Sequence, residues 1–151
     1  MAVEIRPATV DDVDGIVEMA RKFYETTDYA SLCPMEDMQA AGLACLLIDS
    51  GVMIVVERDG ELIGMAGLHI EPFTFNPTIT MATELVYWLN PEARGGMIAA
   101  HLLEAITEEC KASGCDVIRM MTLRTSPPQA AALYDRDGYT PSENVFTKRL
   151  H

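Results

Sequence analysis

The stretch Asn90-Pro91-Glu92-Ala93-Arg94-Gly95-Gly96-Met97-Ile98-Ala99-Ala100-His101 joins an extended run to an apolar helical run through a glycine-bearing turn. The first N–H groups of a helix have no intrahelical acceptor, and the helix dipole adds positive potential among them. Gly95, Gly96, Met97, Ile98, Ala99 and Ala100 therefore form a candidate cradle for an anion such as a pyrophosphate, with Arg94 as the adjoining cation. A Gly-Gly pair also serves as a plain tight turn, and the pair alone does not separate the two uses. A second chemical candidate is Glu84, a carboxylate inside a β-branched and aromatic run, which faces either a site or solvent. In a site it would accept a proton. His69, at the end of another apolar run, is a second candidate base, whereas His101 lies inside an apolar helix and is expected to be inert.

These residues need elements to position them. Val3 to Arg6 reads as a strand stopped by Pro7. Thr9 as N-cap, with Asp12 three residues on, starts a helix near 10–26. Met38, Leu43, Leu46 and Leu47 have helical spacing within a second helix, Met35 to Ile48. Val52 to Glu57 and Glu61 to Leu68, joined through Asp59-Gly60, read as a hairpin. A loop from Pro72 to Pro77 precedes a fourth strand, Thr78 to Leu89. A helix from Gly95 to about Ala112, a strand from Cys115 to Leu123, a short helix from Pro127-Pro128 to Gly138 and a last strand from Asn144 to Leu150 complete the reading. The order is β-α-α-β-β-β-α-β-α-β, an α/β sandwich. The right-handed crossover rule makes the fourth and fifth strands parallel neighbours.

Bulk properties narrow the possibilities. A length of 151 residues, 49% hydrophobic, suits one domain over 1–151. With 23 acidic against 11 basic residues the formal net charge is −12, which disfavours nucleic acid and would attract a cationic acceptor. No apolar run reaches the roughly 20 residues that span a bilayer, and the start lacks a signal peptide's pattern, so no membrane partner and a cytoplasmic location are expected. Cys33, Cys45, Cys110 and Cys115 fit no zinc spacing. They are expected to be reduced packing residues, with no metal site. The methionines, Met65, Met81, Met120 and Met121 among them, read as core filler, some lining an adaptable pocket.

Arg94-Gly95-Gly96-Met97-Ile98-Ala99 resembles the acyl-CoA-binding motif of GNAT acetyltransferases, Arg/Gln-x-x-Gly-x-Gly/Ala, with Arg94 first and Ala99 last. Leu133-Tyr134-Asp135-Arg136-Asp137-Gly138-Tyr139 resembles the same family's Leu-Tyr-x-x-x-Gly-Phe/Tyr signature, at the expected distance downstream. Ile5 to Asp12 and Phe146 to Leu150 are similar to its first and final elements. Glu84-Leu85-Val86-Tyr87-Trp88 ahead of Pro91 is similar to phage- or prophage-borne members. Two departures stand out: Met97 replaces a usual glycine, and Pro127 stands where many members have asparagine.

The resemblance implies a mixed twisted sheet of about six to seven strands flanked by about four helices, and acetyl-CoA as co-substrate. Its pantetheine arm would bond the strand-four edge at Tyr87, Trp88 and Leu89, where an N–H near Leu89 would stabilise the developing oxyanion. Its pyrophosphate would sit on Arg94 to Ala100, with Met97 turned into the helix–sheet core. Tyr134, next to the cofactor, would be the acid that protonates the leaving thiolate, and Glu84 the base for the amine. The function implied is acetyl transfer to a primary amine by direct attack in a ternary complex. The acceptor is a small molecule or a protein lysine or N-terminus, bound near Tyr24, Tyr29 and the Cys33 loop. A non-catalytic acyl-CoA-binding module is the reading that the two departures leave open. Family precedent and the frequency of two-fold assemblies imply a homodimer.

Overall fold

The computed structural model describes residues 2–151. Its elements are β1 (Val3–Pro7), α1 (Val13–Glu25), α2 (Asp37–Ser50), β2 (Val52–Arg58), β3 (Glu61–Phe73), β4 (Asn76–Leu89), α3 (Ile98–Ala112), β5 (Val117–Arg119) and α4 (Gln129–Arg136), with 3₁₀ turns at Val10–Asp12, Asp28–Ser31 and Pro91–Ala93. The sheet runs β1-β2-β3-β4-β5, antiparallel except for the parallel β4–β5 pair. That pair flanks α3, as the crossover rule requires.

Alternation along β2 shows how the sheet makes two cores. Val52, Ile54 and Val56 pack with Leu102, Leu103 and Ile106 of α3. Met53 and Val55 pack with Ile16 and Met19 of α1 and Leu47 of α2. The β2–β3 turn uses Asp59 (φ 52°) and Gly60 (φ 80°), the backbone that Asp-Gly was expected to supply. At the start of α1 the Thr9 N–H donates to Asp12 Oδ2 at 2.8 Å, and Arg6 clamps the same carboxylate through both terminal nitrogens at 2.8 and 2.9 Å.

Several expectations are corrected. The sheet has five strands rather than six to seven. Asn144 to Leu150 joins no ladder; Phe146 is 91% exposed, and Val145 and Leu150 are exposed with it. The pattern could pair, but a strand needs a neighbour and a covered face. Here the chain is tied just ahead of the segment by Arg119–Glu143 (2.7 Å) and within it by Arg149 donating to the Ser31 carbonyl (3.3 Å). β5 pairs only at Met81↔Val117, Ala82↔Ile118 and Thr83↔Arg119, and the register of β4 shifts just beyond these pairs. The expected 72–77 loop is a two-residue turn, Thr74-Phe75, and Pro72 and Pro77 lie within strands near the hairpin tip. β5 pairs only from Met81, so Pro77's missing N–H breaks no ladder on that side. On α2, Met38 and Leu46 are exposed and the inward stripe is Leu43, Ala44 and Leu47. Cys33 and Cys45 are exposed, and Cys110 alone of the four cysteines is buried.

Candidate active site

A bulge in β4 organises the site. Opposite β3, Gly67 pairs with Val86 and Leu68 with Glu84, so Leu85 is an extra residue. One inserted residue reverses the side-chain phase. Ala82 and Glu84 lie on the α3 face before the bulge; Tyr87 and Leu89 lie there after it, while Val86 and Trp88 turn to the α1–α2 face. Pairing with β5 has ended at Thr83, so among the described residues no strand pairs with β4 from Glu84 to Leu89 on that side. The Asn90 N–H donates across to Ile63 O at 2.8 Å. By strand alternation the N–H groups of Leu89 and Tyr87 point the other way, into the gap. The backbone of Trp88 pairs toward Met65 and its indole packs in the α1–α2 core, where Nε1–H donates to Asn90 Oδ1 at 2.9 Å. Of the three strand-four positions expected at the cofactor, Tyr87 and Leu89 thus face the gap and Trp88 does not.

Glu84 and Tyr134, expected as base and acid, meet at the mouth of the gap. The Met121 N–H donates to Glu84 Oε1 at 3.3 Å, and the Tyr134 hydroxyl donates to the Met121 carbonyl at 3.1 Å. Both side chains are buried. Burial pushes Glu84 up to about 7, the Met121 N–H opposing part of the rise. Burial, and then the negative charge of Glu84, pushes the Tyr134 phenol well above its ordinary value, so it stays protonated. The tyrosine signature acquires a local reason here. Gly138 closes α4 with φ 92°, and the chain turns back so that Tyr139 lies 5.6 Å from the Tyr134 ring. Tyr87 meets Tyr134 edge-on at 6.2 Å. The hydroxyls of Tyr87 and Tyr139 are buried with no hydrogen-bond partner among the described residues. Met121 and Tyr139 were missed as site residues; only the fold brings 84, 121, 134 and 139 together.

The cradle also forms. Gly95 takes φ 86°, open space surrounds the position of a Cβ at both Gly95 and Gly96, and α3 begins at Ile98. None of the N–H groups from Gly95 to Ala100 donates to a protein acceptor among the described residues; the first bond is His101 N–H to Met97 O at 3.0 Å. Arg94 braces the turn against β4: its Nε–H donates to Leu89 O at 2.8 Å and its guanidinium lies 4.8 Å from the Trp88 ring centroid. Met97 is 66% exposed at the mouth of the cradle, so the expectation that it turns into the core is wrong. As N-cap, Met97 precedes the first full turn of α3, and its side chain has no neighbouring layer to enter.

His69 stands on the opposite face from Glu84, paired in register with Thr83, with Nε2 at 3.5 Å from Glu71 Oε1. On that face a groove of about 540 Å³ runs between α1, α2 and the bulge, with Leu85 and Val86 as its floor. Tyr24 and the Cys33 loop line it, whereas Tyr29 does not. His101 is exposed on α3. Among the described residues no cluster of His, Cys, Asp or Glu is arranged to hold a metal, and no helix is long and apolar enough to cross a membrane.

Residues 14–139 match the acetyltransferase (GNAT) family. Over 97% of its length the chain is 27% identical to an amino-acid acetyltransferase of Azotobacter vinelandii, of which it spans 34%. Its fold is similar to that of the ribosomal-protein-alanine N-acetyltransferase of Brucella melitensis, with TM-score 0.77 and 16% identity over 99% of this chain and 100% of that one. It is also similar to that of a predicted acetyltransferase of Clostridium acetobutylicum solved with acetyl-CoA, with TM-score 0.75 and 17% identity over 99% and 97%. The open β4 edge and the unpartnered N–H cradle stand in a chain whose sequence matches this family over most of its length: it belongs to the acetyltransferase (GNAT) family.

Proposed function

We propose that this enzyme transfers the acetyl group of acetyl-CoA to a primary amine by direct attack in a ternary complex, with Glu84 as base and Tyr134 as acid. The observation that carries the reading is the convergence of the Glu84 carboxylate and the Tyr134 hydroxyl on the Met121 backbone, where β4 and β5 part. Acetyl-CoA supplies an activated acyl group. The residues present fit it: the N–H groups of Gly95 to Ala100 would hold its pyrophosphate, and the open edge at Tyr87 and Leu89 its pantetheine arm. Glu84 takes the proton that the ammonium must lose before its nitrogen bonds to the acyl carbon. Tyr134 gives a proton to the sulfur as the C–S bond breaks. The Leu89 N–H is placed to stabilise charge growing on the acyl oxygen.

The names of the relatives offer two acceptor classes, an amino acid and a protein N-terminus. Tyr134→Phe tests the reading. Each such proton transfer typically contributes 10²–10⁴-fold, so kcat should fall by roughly that range while the acetyl-CoA Kd stays within about twofold. Unchanged kcat removes Tyr134 from the chemistry. The exposed Met97 favours a second reading, an acyl-CoA-binding module; acetyl-CoA binding without turnover across a broad amine panel would establish it.

A further inference from the structure

The groove between α1, α2 and the β4 bulge is a large apolar hollow whose floor is Leu85 and Val86. Its volume of about 540 Å³ falls within the roughly 300–1,000 Å³ of small-molecule pockets. Ile16 and Phe23 of α1 and Leu43 and Leu47 of α2 wall it, over the Leu85-Val86 floor. Leu85 adjoins Glu84 in sequence, and the β4–β5 ladder ends at Thr83, so beside the groove floor the sheet is no longer closed between its two faces; the Met121 N–H stands against the Glu84 carboxylate there. Resting on the acetyltransferase reading above, we propose that this groove holds the body of the acceptor, and that the acceptor is a primary amine on a compact aromatic or branched apolar body lacking a carboxylate.

Charge makes the choice among acceptors. The groove is lined by one carboxylate, Glu36, and by no lysine or arginine. Arg21, on α1, is already engaged by Asp37 at 2.6 Å and Glu18 at 3.1 Å. The carboxylate of a free amino acid would enter an apolar site between Glu36 and Glu84 with no cation to meet it, a costly burial. A polyamine has the opposite difficulty: its second ammonium would lose water against Phe23 and Leu43, with Glu36 the single counter-charge. An extended peptide meets a wall. The Tyr24 hydroxyl lies 2.8 Å from the Tyr29 carbonyl and 2.6 Å from the Cys33 carbonyl, which pins the 29–33 loop beside the groove.

The test uses 2-phenylethylamine, L-phenylalanine, spermidine and an alanine-initiated peptide, each assayed for acetylation and, with CoA present, for thermal stabilisation of the protein. 2-Phenylethylamine should raise Tm and show kcat/KM at least about tenfold above the others, the scale on which apolar pockets discriminate. Ala40→Phe, which fills the groove from the half-buried side of α2, should raise KM for 2-phenylethylamine about tenfold with acetyl-CoA Kd unchanged. Glu36→Arg, at an exposed position, should move the preference toward L-phenylalanine by supplying the missing cation. Preference for spermidine, L-phenylalanine or the peptide, with KM indifferent to Ala40→Phe, overturns the inference and leaves acetyl transfer standing. Absence of any acetyl-CoA stabilisation or turnover overturns the acetyltransfer reading itself. If acetyl-CoA binds but no amine turns over, failure of 2-phenylethylamine to raise Tm still overturns the groove assignment.

Discussion

Glu84 and Tyr134 are set as base and acid by the same burial acting on groups of different kind. Withdrawal from water disfavours either anion. Glu84, pushed up to about 7, is then divided between its two forms near neutrality, while Tyr134 remains a phenol. A base of this kind makes kcat/KM rise with pH through about 7 and level off above it. Glu84→Gln should abolish that limb and lower the plateau by about 10²–10⁴-fold. A limb that survives the substitution and follows the pKa of different acceptor amines would belong to the substrate and would make Glu84 structural. His69→Gln should leave the limb in place, because His69 is outside the groove lining and its Nε2 is turned to Glu71 Oε1 at 3.5 Å. Tyr134 was legible from the Leu-Tyr-x-x-x-Gly-Tyr spacing, and Glu84 from being a carboxylate in an apolar strand. The Met121 backbone was not, because nothing local marks a peptide group that meets Glu84 and Tyr134 only after β4, β5 and α4 assemble.

At the scale of elements the bulge at Leu85 matters most, and sequence pattern hid it for a physical reason. Leu85-Val86-Tyr87-Trp88-Leu89 is apolar throughout, so no polar–apolar alternation is present to reveal a slip of phase. The hairpin turn at Asp59-Gly60 and the N-terminus of α1 were legible because each depends on one or two residues acting locally. The last strand was over-read, since Val145, Phe146 and Thr147 give the segment a capacity to pair and not the presence of a partner. The bulge makes a sharp prediction. Deleting Leu85 would return β4 to unbroken alternation and set Tyr87 and Trp88 on the wrong faces relative to Glu84. Exchanging these aromatics between the two cores should cost at least about 3–5 kcal/mol in urea unfolding, the scale of removing a buried aromatic. Leu85→Ala, at a position 40% exposed, keeps the inserted residue and should cost no more than about 1 kcal/mol. Equal effects of the two changes would mean that the leucine side chain, and not the phase shift, stabilises this part of β4.

Across the whole molecule the site is paid for in stability, and pH exposes how much. The chain carries 23 carboxylates and a formal charge of −12, so repulsion within the compact state already works against folding as pH rises. Glu84 adds a specific contribution of the same sign. Its folded value of about 7 lies above its ordinary 4.5, so between the two the native state binds more protons than the unfolded chain. The stability it contributes is complete below about 4.5 and is lost as pH rises through about 7. A difference of this size corresponds to about 3 kcal/mol. Asp12 works in the opposite direction: Arg6 holds its carboxyl below the ordinary value, so its contribution is present above that range and is lost in acid. Repulsion and Asp12 are common to parent and variant, and therefore the difference between them isolates Glu84. Glu84→Gln should match the parent in Tm near pH 4.5 and exceed it by about 6–12 °C near pH 8, at about 2–4 °C per kcal/mol for a chain of this length. The gap should open through neutrality, in the same interval where the rate limb lies. Parallel melting curves from pH 4.5 to 8 would mean that Glu84 titrates as an exposed carboxylate does, and the matched loss of stability and gain of activity that the buried base predicts would be absent.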